Sequence, residues 1–472
     1  MIRYESFEAQ NPMTQPSHFS TRRSFLKGIT VTTATGIAIP NLLLRAQDTP
    51  ASKRVAVGCI GVGGRGFNDL MNVSKDNEIV AICDVDANHL AKAAEKFPSA
   101  RQYKDFRELL EKEKSLDGVV ISTPDHSHYP AAMHAISLGK HICVQKPLVN
   151  TLWEANQLHQ AAKKKGIITQ MGNQGHTYEE NRLLKEWFDA GVVGKVKEIY
   201  VWTNRPIWPQ SKAADFKPST PVPEKLAWDL WLAAIPDRPY SPDIHPFKWR
   251  GHFDYGSGAL GDMGCHNLDP LVWSLGLGVP NRINATADGL TETAWPRGAK
   301  VEYIWDDVPG HGQIKLYWYE GKNTDGSPCM PPQPKGLTQP LSDTGFYVIG
   351  SDGIVYNQGS QVQKLTILPE ARSVEFLSNP PAKTLDRSPA PGNSEREWAL
   401  AIKQGKPFPF MSQFDYSVPL TELCLLGCLA IRTGQPIVWD QKTSTAINNE
   451  AANKLVKRAQ YRKGWEYAAK DI

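Results

Sequence analysis

The segment from Lys53 to Asp84 constrains the fold more than any other part of this sequence. It reads KRVAVGCIGVGGRGFNDLMNVSKDNEIVAICD, which is a short apolar run, a glycine-rich turn, a helix-compatible stretch and a second apolar run ending in an acid. This order and spacing are typical of a dinucleotide-binding βαβ unit, because the turn brings a diphosphate to the free N–H groups at the start of the helix. The flanking apolar runs and the acid make this more specific than glycines alone.

The residues of this unit divide into backbone contacts and one carboxylate. Gly61 permits the tight turn, Gly63 lets the backbone approach the diphosphate, and Gly66 lets the helix pack closely on the strand. Asp84 follows at the distance where a carboxylate accepts the ribose hydroxyls of NAD and repels the 2′-phosphate of NADP, so the sequence favours NAD. Arg65 keeps NADP as the alternative. The predicted cofactor contacts here are Gly61, Gly63, Gly64, Arg65, Gly66 and Asp84.

The length and charge of the chain limit its number of domains and the classes of partner it can bind. The chain has 472 residues, 41% of them hydrophobic, which is enough for two domains with their own cores. Residues 1–46 hold five basic and two acidic side chains, so the net charge of +4 leaves the remainder about neutral. Such a balance argues against a nucleic-acid or anionic-membrane partner.

The N-terminal region predicts export. Thr21–Lys27 reads TRRSFLK, the twin-arginine pattern, and a mild apolar stretch follows to Leu44. Pro40 and Asn41 break that stretch, so we expect a signal peptide at residues 1–46 and no permanent membrane span. The predicted location is the periplasm, and the twin-arginine export machinery is a predicted partner. The seven cysteines suggest core residues without a disulfide framework, since twin-arginine substrates fold before export.

The hydrophobic pattern predicts two domains of different texture. Apolar strands alternate with amphipathic helices as far as residue 172, which predicts a doubly wound parallel (Rossmann) domain at 53–172. Short alternating pieces separated by Gly and Pro follow, and they predict a C-terminal α+β domain at 173–440 with a large, mostly antiparallel open sheet. Residues 441–472 form a predicted tail. The fold class is α/β.

Two stretches carry candidate reaction chemistry. Lys146 of Gln145-Lys146-Pro147 follows a predicted strand at the edge where ligands of doubly wound sheets bind, and it would stabilise alkoxide character on a substrate hydroxyl. Asp262 and His266 share one face of a helix, where a carboxylate beside an imidazole suits a general base. A solvated loop lysine and a structural Asp–His pair are the plain alternatives. The spacing of Asp262 and His266 would also suit a metal, but the sequence offers no evident third ligand.

These motifs together resemble the glucose–fructose oxidoreductase, inositol dehydrogenase and rhizopine catabolism family (Gfo/Idh/MocA) from residue 54 to about 435. Stretches such as Met171–His176 and Trp202–Pro206 are similar to the signal-bearing branch common in Bacteroidetes and Planctomycetes. The resemblance implies that Lys146 assists, Asp262 orients and His266 acts as acid/base on a sugar or polyol hydroxyl. It also implies an open sheet face that forms dimer or tetramer contacts. Further cofactor contacts implied near the nicotinamide are Thr123, Pro124, His126, His128 and Gln145.

One residue departs from the family pattern. The family carries Glu before the lysine, and this chain has Gln145, which accepts a hydrogen bond without stabilising Lys146 as a cation. Five further residues are predicted substrate contacts: Asn173, His176, Trp202, Arg205 and Trp208. Their alternative roles are helix capping or packing.

The resulting hypothesis is an exported NAD-dependent oxidoreductase that acts on a secondary hydroxyl of a carbohydrate. Free NAD is scarce outside the cytoplasm, so the folded enzyme would carry its cofactor out and recycle it in place. One alternative is a redox-neutral glycosidase or lyase that works through a keto-sugar intermediate. A second is a non-catalytic sugar-binding protein on a dehydrogenase scaffold.

Overall fold

The first half of the chain forms a parallel sheet. In the computed structural model, which describes residues 54–470, six strands lie in the order β3-β2-β1-β4-β5-β6, and every neighbouring pair is parallel. The strands are β1 (Ala56–Ile60), β2 (Glu78–Cys83), β3 (Arg101–Tyr103), β4 (Gly118–Ile121), β5 (His141–Gln145) and β6 (Thr169–Gly172). The central strands are buried along their length, as expected for a sheet covered on both faces.

Helices connect these strands. They are α1 (Arg65–Val73), α2 (Ala87–Lys96), α3 (Phe106–Lys112), α4 (Asp125–Ser137) and α5 (Leu152–Lys165). Local sequence explains where two of them begin: Asp86 caps α2 by accepting from Asn88 N, and the Thr151 side chain caps α5 by accepting from Glu154 N. The α1 terminus differs, because Gly64 offers no side-chain cap and its first turn holds no acid.

The second half of the chain forms a nine-stranded sheet in the order β13-β12-β11-β7-β10-β9-β8-β14-β15. Its strands are β7 (Val196–Thr203), β8 (Arg282–Asp288), β9 (Gly298–Val308), β10 (Gly312–Gly321), β11 (Gly345–Gly350), β12 (Ile354–Gln358), β13 (Leu365–Leu368), β14 (Ile437–Asp440) and β15 (Thr445–Ala446). All pairs are antiparallel except β7 with β10. The predicted fold class is therefore confirmed.

The remaining helices lie around this sheet and between the two sheets. They are α6 (Glu179–Asp189), α7 (Trp228–Leu232), α8 (Gly258–Asn267), α9 (Asp269–Leu275), α10 (Ala371–Ser378), α11 (Ser394–Gln404), α12 (Phe414–Thr433) and α13 (Glu450–Asn453), with 3₁₀ turns at Gln174–Thr177, Lys248–Gly251 and Glu466–Ala469. Helices α11 and α12 return to the first sheet, because α11 packs on α1 and β6 while α12 packs on α5 and β6, and α12 also packs on β8 of the second sheet. The domain bounds near residue 172 stay a prediction.

Two further features bear on the sequence predictions. Among the described residues, α12 is long and apolar enough to cross a membrane by composition, yet 83% of that segment is buried inside the protein. All seven cysteines fall within the described residues, and each is free and buried. The twin-arginine segment lies outside the described residues.

Candidate active site

A cavity of about 490 Å³ lies at the carboxyl ends of β1, β2, β4 and β5. Its walls come from both halves of the chain, and its floor includes the glycine turn. Its lining includes Gly61, Gly63, Gly64, Arg65, Asp84, Thr123, Pro124, His128, Gln145, Lys146, Trp231, His245, Phe247, Trp249, Arg250, Asp262 and Trp465. Ligands of doubly wound sheets bind at this edge.

The glycine turn has the shape a diphosphate requires. Gly61 has a φ of +78°, and a Cβ there would lie 2.8 Å from Ser122 O. A Cβ on Gly66 would lie 2.0 Å from Gly61 O, so only glycine lets α1 begin this close to β1. Gly64 has a φ of +50° and open space where its Cβ would be. The uncapped N–H groups of α1 therefore face a place that an anion fits.

Asp84 stands at the end of β2 as predicted. Its Oδ2 accepts from Val62 N at 2.9 Å, and its Oδ1 accepts from Asp86 N at 2.9 Å. These two contacts hold a largely buried carboxylate at the cavity wall, with His89 Nδ1 3.7 Å away. Together with the glycine turn, this carboxylate fits the diphosphate and ribose of NAD. Arg65 does not pair with Asp84; it pairs with Asp69 and Glu395.

In the loop after β4, three of the residues predicted to contact the nicotinamide line the cavity and one does not. Thr123, Pro124 and His128 line the cavity, whereas His126 is not among the lining residues. His126 is buried against Trp231, whose carbonyl lies 2.7 Å from its Nε2, and burial lowers its pKa to about 3. His128 lies between two carbonyls, Thr123 O at 2.7 Å and Pro147 O at 2.9 Å. The two histidines fix the loop's conformation, and Thr123 and Pro124 supply its cavity surface.

Lys146 and Asp262 meet across the cavity. Lys146 Nζ donates to Asp262 Oδ1 at 3.0 Å and to Asp262 O at 2.9 Å. Arg250 approaches the same carboxylate, its Nε 3.6 Å from Oδ1. Burial acts to raise the pKa of Asp262, but the charges of Lys146 and Arg250 outweigh it and hold this pKa below its usual value. Lys146, which Gln145 does not stabilise as a cation, is thus paired with Asp262.

The partner of His266 differs from the expectation. Asp262 was predicted to orient His266; the structure gives that contact to Asn173, whose Oδ1 lies 2.8 Å from His266 Nδ1. Asn173 Nδ2 donates to Cys265 O at 2.7 Å, which fixes the amide so that Oδ1 faces the imidazole. His266 Nδ1 therefore carries the proton and Nε2 keeps its lone pair. Burial, then the charge of Lys146, lowers the pKa of His266 to about 3, so the ring is neutral and Nε2 is unprotonated at neutral pH.

Several predicted substrate residues lie elsewhere. His176 is buried between Asp269, at 2.9 Å from its Nδ1, and Phe410 O, at 3.0 Å from its Nε2. Trp202 is fully buried and stacks on Tyr356, so it belongs to the packing of the second sheet. Trp208 is buried, with its indole N–H donating to Gln210. These three side chains form no part of the cavity wall, and neither do Asn173, Arg205 and His266, although Arg205 and His266 are partly exposed.

The structure adds cavity residues that the sequence analysis did not find. Arg250 lies over the rings of Trp249 and Phe247, 4.2 and 4.8 Å from their centroids, in the Pro- and Trp-rich segment. Trp465 reaches the cavity from the predicted tail and packs on Phe106. Its only signal in the sequence was a single tryptophan in the predicted tail. Within residues 54–470, no group of three or more His, Cys, Asp or Glu side chains is placed to hold a metal ion.

Comparison with known proteins identifies the class that this fold and cavity define. The family model described as an oxidoreductase family with an NAD-binding Rossmann fold matches residues 54–173, and the model of its C-terminal α/β domain matches residues 193–327. Together these matches span more than half of the chain. The protein belongs to the Gfo/Idh/MocA oxidoreductase family, and its first sheet is the family's NAD-binding domain.

Individual relatives match over shorter stretches. The chain is 26% identical to levoglucosan dehydrogenase of Pseudarthrobacter phenanthrenivorans over 41% of this chain and 42% of that protein. It is 30% identical to glycosyl hydrolase family 109 protein 1 of a Shewanella species over 37% of this chain and 44% of that protein. The chain thus matches less than half the length of these relatives. A solved levoglucosan dehydrogenase, in complex with NADH and levoglucosan, superposes with a TM-score of 0.55 at 16% identity, covering 81% of this chain and 98% of that one. That superposition shows the shared fold.

Proposed function

We propose that this protein is an NAD-dependent oxidoreductase that acts on a secondary hydroxyl of a sugar, polyol or glycoside. The observation that carries the proposal is the Lys146–Asp262 pair, which lines the same cavity as the glycine turn and Asp84. Family membership and the relative named levoglucosan dehydrogenase support it. Bound NAD would supply a hydride acceptor at this cavity.

The protein's own residues would handle the substrate oxygen and its proton. The ammonium of Lys146 donates to the reacting oxygen and stabilises its developing negative charge. Asp262 holds Lys146 in place from the opposite wall, with Arg250 as its second cation. His266, which lies one turn from Asp262 on α8 and outside the cavity wall, would accept the hydroxyl proton on Nε2 where the bound substrate reaches it, because Asn173 occupies its Nδ1. Its low pKa keeps this acceptor unprotonated at neutral pH.

Retention of the cofactor is part of the proposal. The strap, defined as residues 225–250, pairs with the chain after Asp84: Ala87 N donates to Lys225 O, and Ala227 N donates to Val85 O, both at 2.9 Å. Trp231, His245 and Phe247 of the strap then line the cavity together with the glycine turn. The C-terminal segment holds the strap, since Arg462 pairs with Asp229 at 2.6 Å and Asp237 at 2.9 Å. We propose that this arrangement slows the release of NAD.

The proposal is tested with the purified protein from Gln47 onward. A panel of sugars, polyols and glycosides is added, and reduction of the nicotinamide is followed by its absorbance and fluorescence. Reduction by at least one carbohydrate, strongly slowed in Lys146→Met, is the expected result. NAD binding without reduction by any member of a broad panel would contradict the reaction and favour a sugar-binding protein.

A second candidate is a redox-neutral glycosidase or lyase. The match to glycosyl hydrolase family 109 protein 1 favours it. In this case Lys146 and His266 would serve oxidation of one hydroxyl, removal of the acidified neighbouring C–H proton with elimination of the leaving group, and return of the hydride from the reduced cofactor to the same sugar. Release of the leaving group from an aryl glycoside without any added acceptor distinguishes this route from net oxidation.

We further propose that the protein is exported to the periplasm by the twin-arginine route, on the strength of Thr21–Lys27. Replacement of both Arg22 and Arg23 by Lys should leave the protein in the cytoplasm on fractionation of cells. Periplasmic recovery of that variant would contradict this route.

We also propose a homo-oligomer formed through the second sheet. Tyr200, Tyr317 and Tyr319 lie partly exposed on neighbouring strands β7 and β10, with the Tyr200 and Tyr317 rings 5.0 Å apart. Tyrosines are enriched at protein interfaces, which supports this face. Light scattering should give a mass of two or four chains, and Tyr200→Glu should lower it. A monomer at micromolar concentration would contradict the proposal.

A further inference from the structure

A buried carboxylate lies behind the cavity wall. Asp69 on α1 is fully buried, and its carboxylate reaches three elements. Its Oδ2 accepts from Ser122 Oγ at 2.8 Å, at the end of β4, and from Gln145 Nε2 at 2.8 Å, at the end of β5. Its Oδ1 lies 2.7 Å from Arg65 Nε. Asp69 does not line the cavity itself, so any effect on a ligand passes through these partners.

The Arg65 contact connects Asp69 with the glycine turn. Arg65 opens α1 directly after Gly64, lines the cavity and is 39% exposed, while Asp69 is 0% exposed. A buried charge of this kind is stable only when it is paired and hydrogen-bonded. The ion pair therefore holds the guanidinium beside the free N–H groups of α1, where a diphosphate binds.

A second buried acid supports the same guanidinium from the far end of the chain. Glu395 of α11 is 0% exposed, and its Oε1 accepts from Arg65 Nη2 at 3.4 Å. Burial, then the charge of Asp69, raises the pKa of Glu395. Asp69 is the closer partner of Arg65, at 2.7 Å, and Glu395 is the more distant one, at 3.4 Å.

The Gln145 contact explains the departure from the Glu-Lys-Pro pattern. The Gln145 amide donates to Asp69, and a Glu at this position would place two carboxylates within hydrogen-bonding distance of each other. Gly172 makes room for this amide, since a Cβ there would lie 2.6 Å from Gln145 Nε2. Gln145 is followed directly by Lys146, so its position determines where the lysine leaves β5.

We infer that Asp69 is a positioning residue that holds Arg65, at the predicted diphosphate site, and the Gln145–Lys146 end of β5 in one ion-paired and hydrogen-bonded unit, and that an amide is required at position 145 because Asp69 Oδ2 accepts an N–H from it. The inference rests on the proposed function for its cofactor. It predicts that the contact between positions 69 and 145 tolerates an exchange of acid and amide but not two acids, whereas the exchange still loses the pair with Arg65.

Three variants test this exchange by the Kd for NAD, measured on protein stripped of nucleotide. Asp69→Asn and Gln145→Glu should each weaken NAD binding by about tenfold, the range expected for a lost charge-assisted contact. The double variant Asp69→Asn/Gln145→Glu restores a donor opposite an acceptor but not the pair with Arg65, so its Kd should stay about tenfold weaker than wild type instead of showing the roughly hundredfold product of the two single losses. Urea unfolding of each variant separates lost affinity from lost stability.

The matched control is Asp76→Asn. Asp76 follows α1 and pairs with Arg396 of α11, outside the cavity, so it shares the chemistry of Asp69 without the cofactor contacts. Its Kd for NAD should equal that of wild type. The inference is overturned if Gln145→Glu binds NAD as tightly as wild type, or if the double variant shows the full product of the two single losses. Wild-type protein that binds no NAD would instead overturn the proposed function.

Discussion

The two ends of the cavity are constructed differently. The cofactor end comes from one continuous segment, in which Gly61 to Gly66 offer backbone groups and Asp84 offers a carboxylate held by Val62 N. The reaction end comes from separate elements: Lys146 after β5, Asp262 on α8 and Arg250 on a 3₁₀ turn. A backbone cradle depends on local conformation, whereas a side-chain site depends on how distant elements pack. Substitutions should therefore separate binding of NAD from the reaction.

Replacement of Lys146 should have the largest effect. Lys146→Met keeps the volume of the side chain and removes the ammonium, so turnover should fall by roughly 10²- to 10³-fold, as when one stabilising donor is lost. The Kd for NAD should change less than about threefold. Lys197→Met, at an exposed position of β7, is the control for turnover. A comparable loss of NAD affinity in Lys146→Met would show that the two ends are not separable.

Replacement of Asp84 should affect the other end. Asp84→Ala removes the ribose acceptor and should weaken NAD binding by about tenfold, while turnover at saturating NAD falls far less. Asp117→Ala is a matched control, since Asp117 also accepts a strand N–H, from Ala56 at 2.8 Å, at the opposite edge of the sheet. Equal losses of affinity in both variants would indicate general destabilisation instead of a ribose contact.

The strap should control release of NAD more than its affinity at equilibrium. Arg462 is 7% exposed and joins the C-terminal segment to Asp229 and Asp237, so Arg462→Ala should speed release by about fivefold. The measurement is a chase of bound NAD with labelled nucleotide. Lys217→Ala, which breaks the exposed pair with Asp215, should leave the rate unchanged. An unchanged rate of NAD release in Arg462→Ala would contradict the proposal that the strap retains the cofactor.

The smallest effect concerns pH. Unfolded His266 takes up a proton near its ordinary pKa of 6.5, whereas the folded ring does so only at about 3. The unfolded state thus binds more protons between these values, and the free energy of unfolding falls as the pH drops. His266→Asn should flatten this slope by up to ~1.4 kcal/mol per pH unit, measured by urea unfolding at pH 7 and pH 5. Asn173→Ala, which keeps the imidazole, should retain more of the slope; equal slopes in wild type and His266→Asn would refute the assignment.

The same difference between the two ends decided what could be predicted from sequence. The glycine turn and Asp84 were found because their spacing is local, and Lys146 was found because it directly follows a strand. The Asn173–His266 contact was missed because its partners lie 93 residues apart. Trp202 was expected at the substrate and is core, since Tyr347 and Tyr356 come from strands that only the folded sheet brings beside it. Trp465 was missed because its place in the cavity wall depends on where the C-terminal tail packs.

The measurement that tests the account most directly is the nucleotide content of the protein purified from Gln47 onward without added cofactor. After denaturation, chromatography of the supernatant should give nearly one NAD(H) per chain and little NADP(H), because the glycine turn and Asp84 fit NAD and the strap retains it. Protein that is empty and that binds no added NAD would contradict the central claim. It would leave a sugar-binding protein on a dehydrogenase scaffold as the better account.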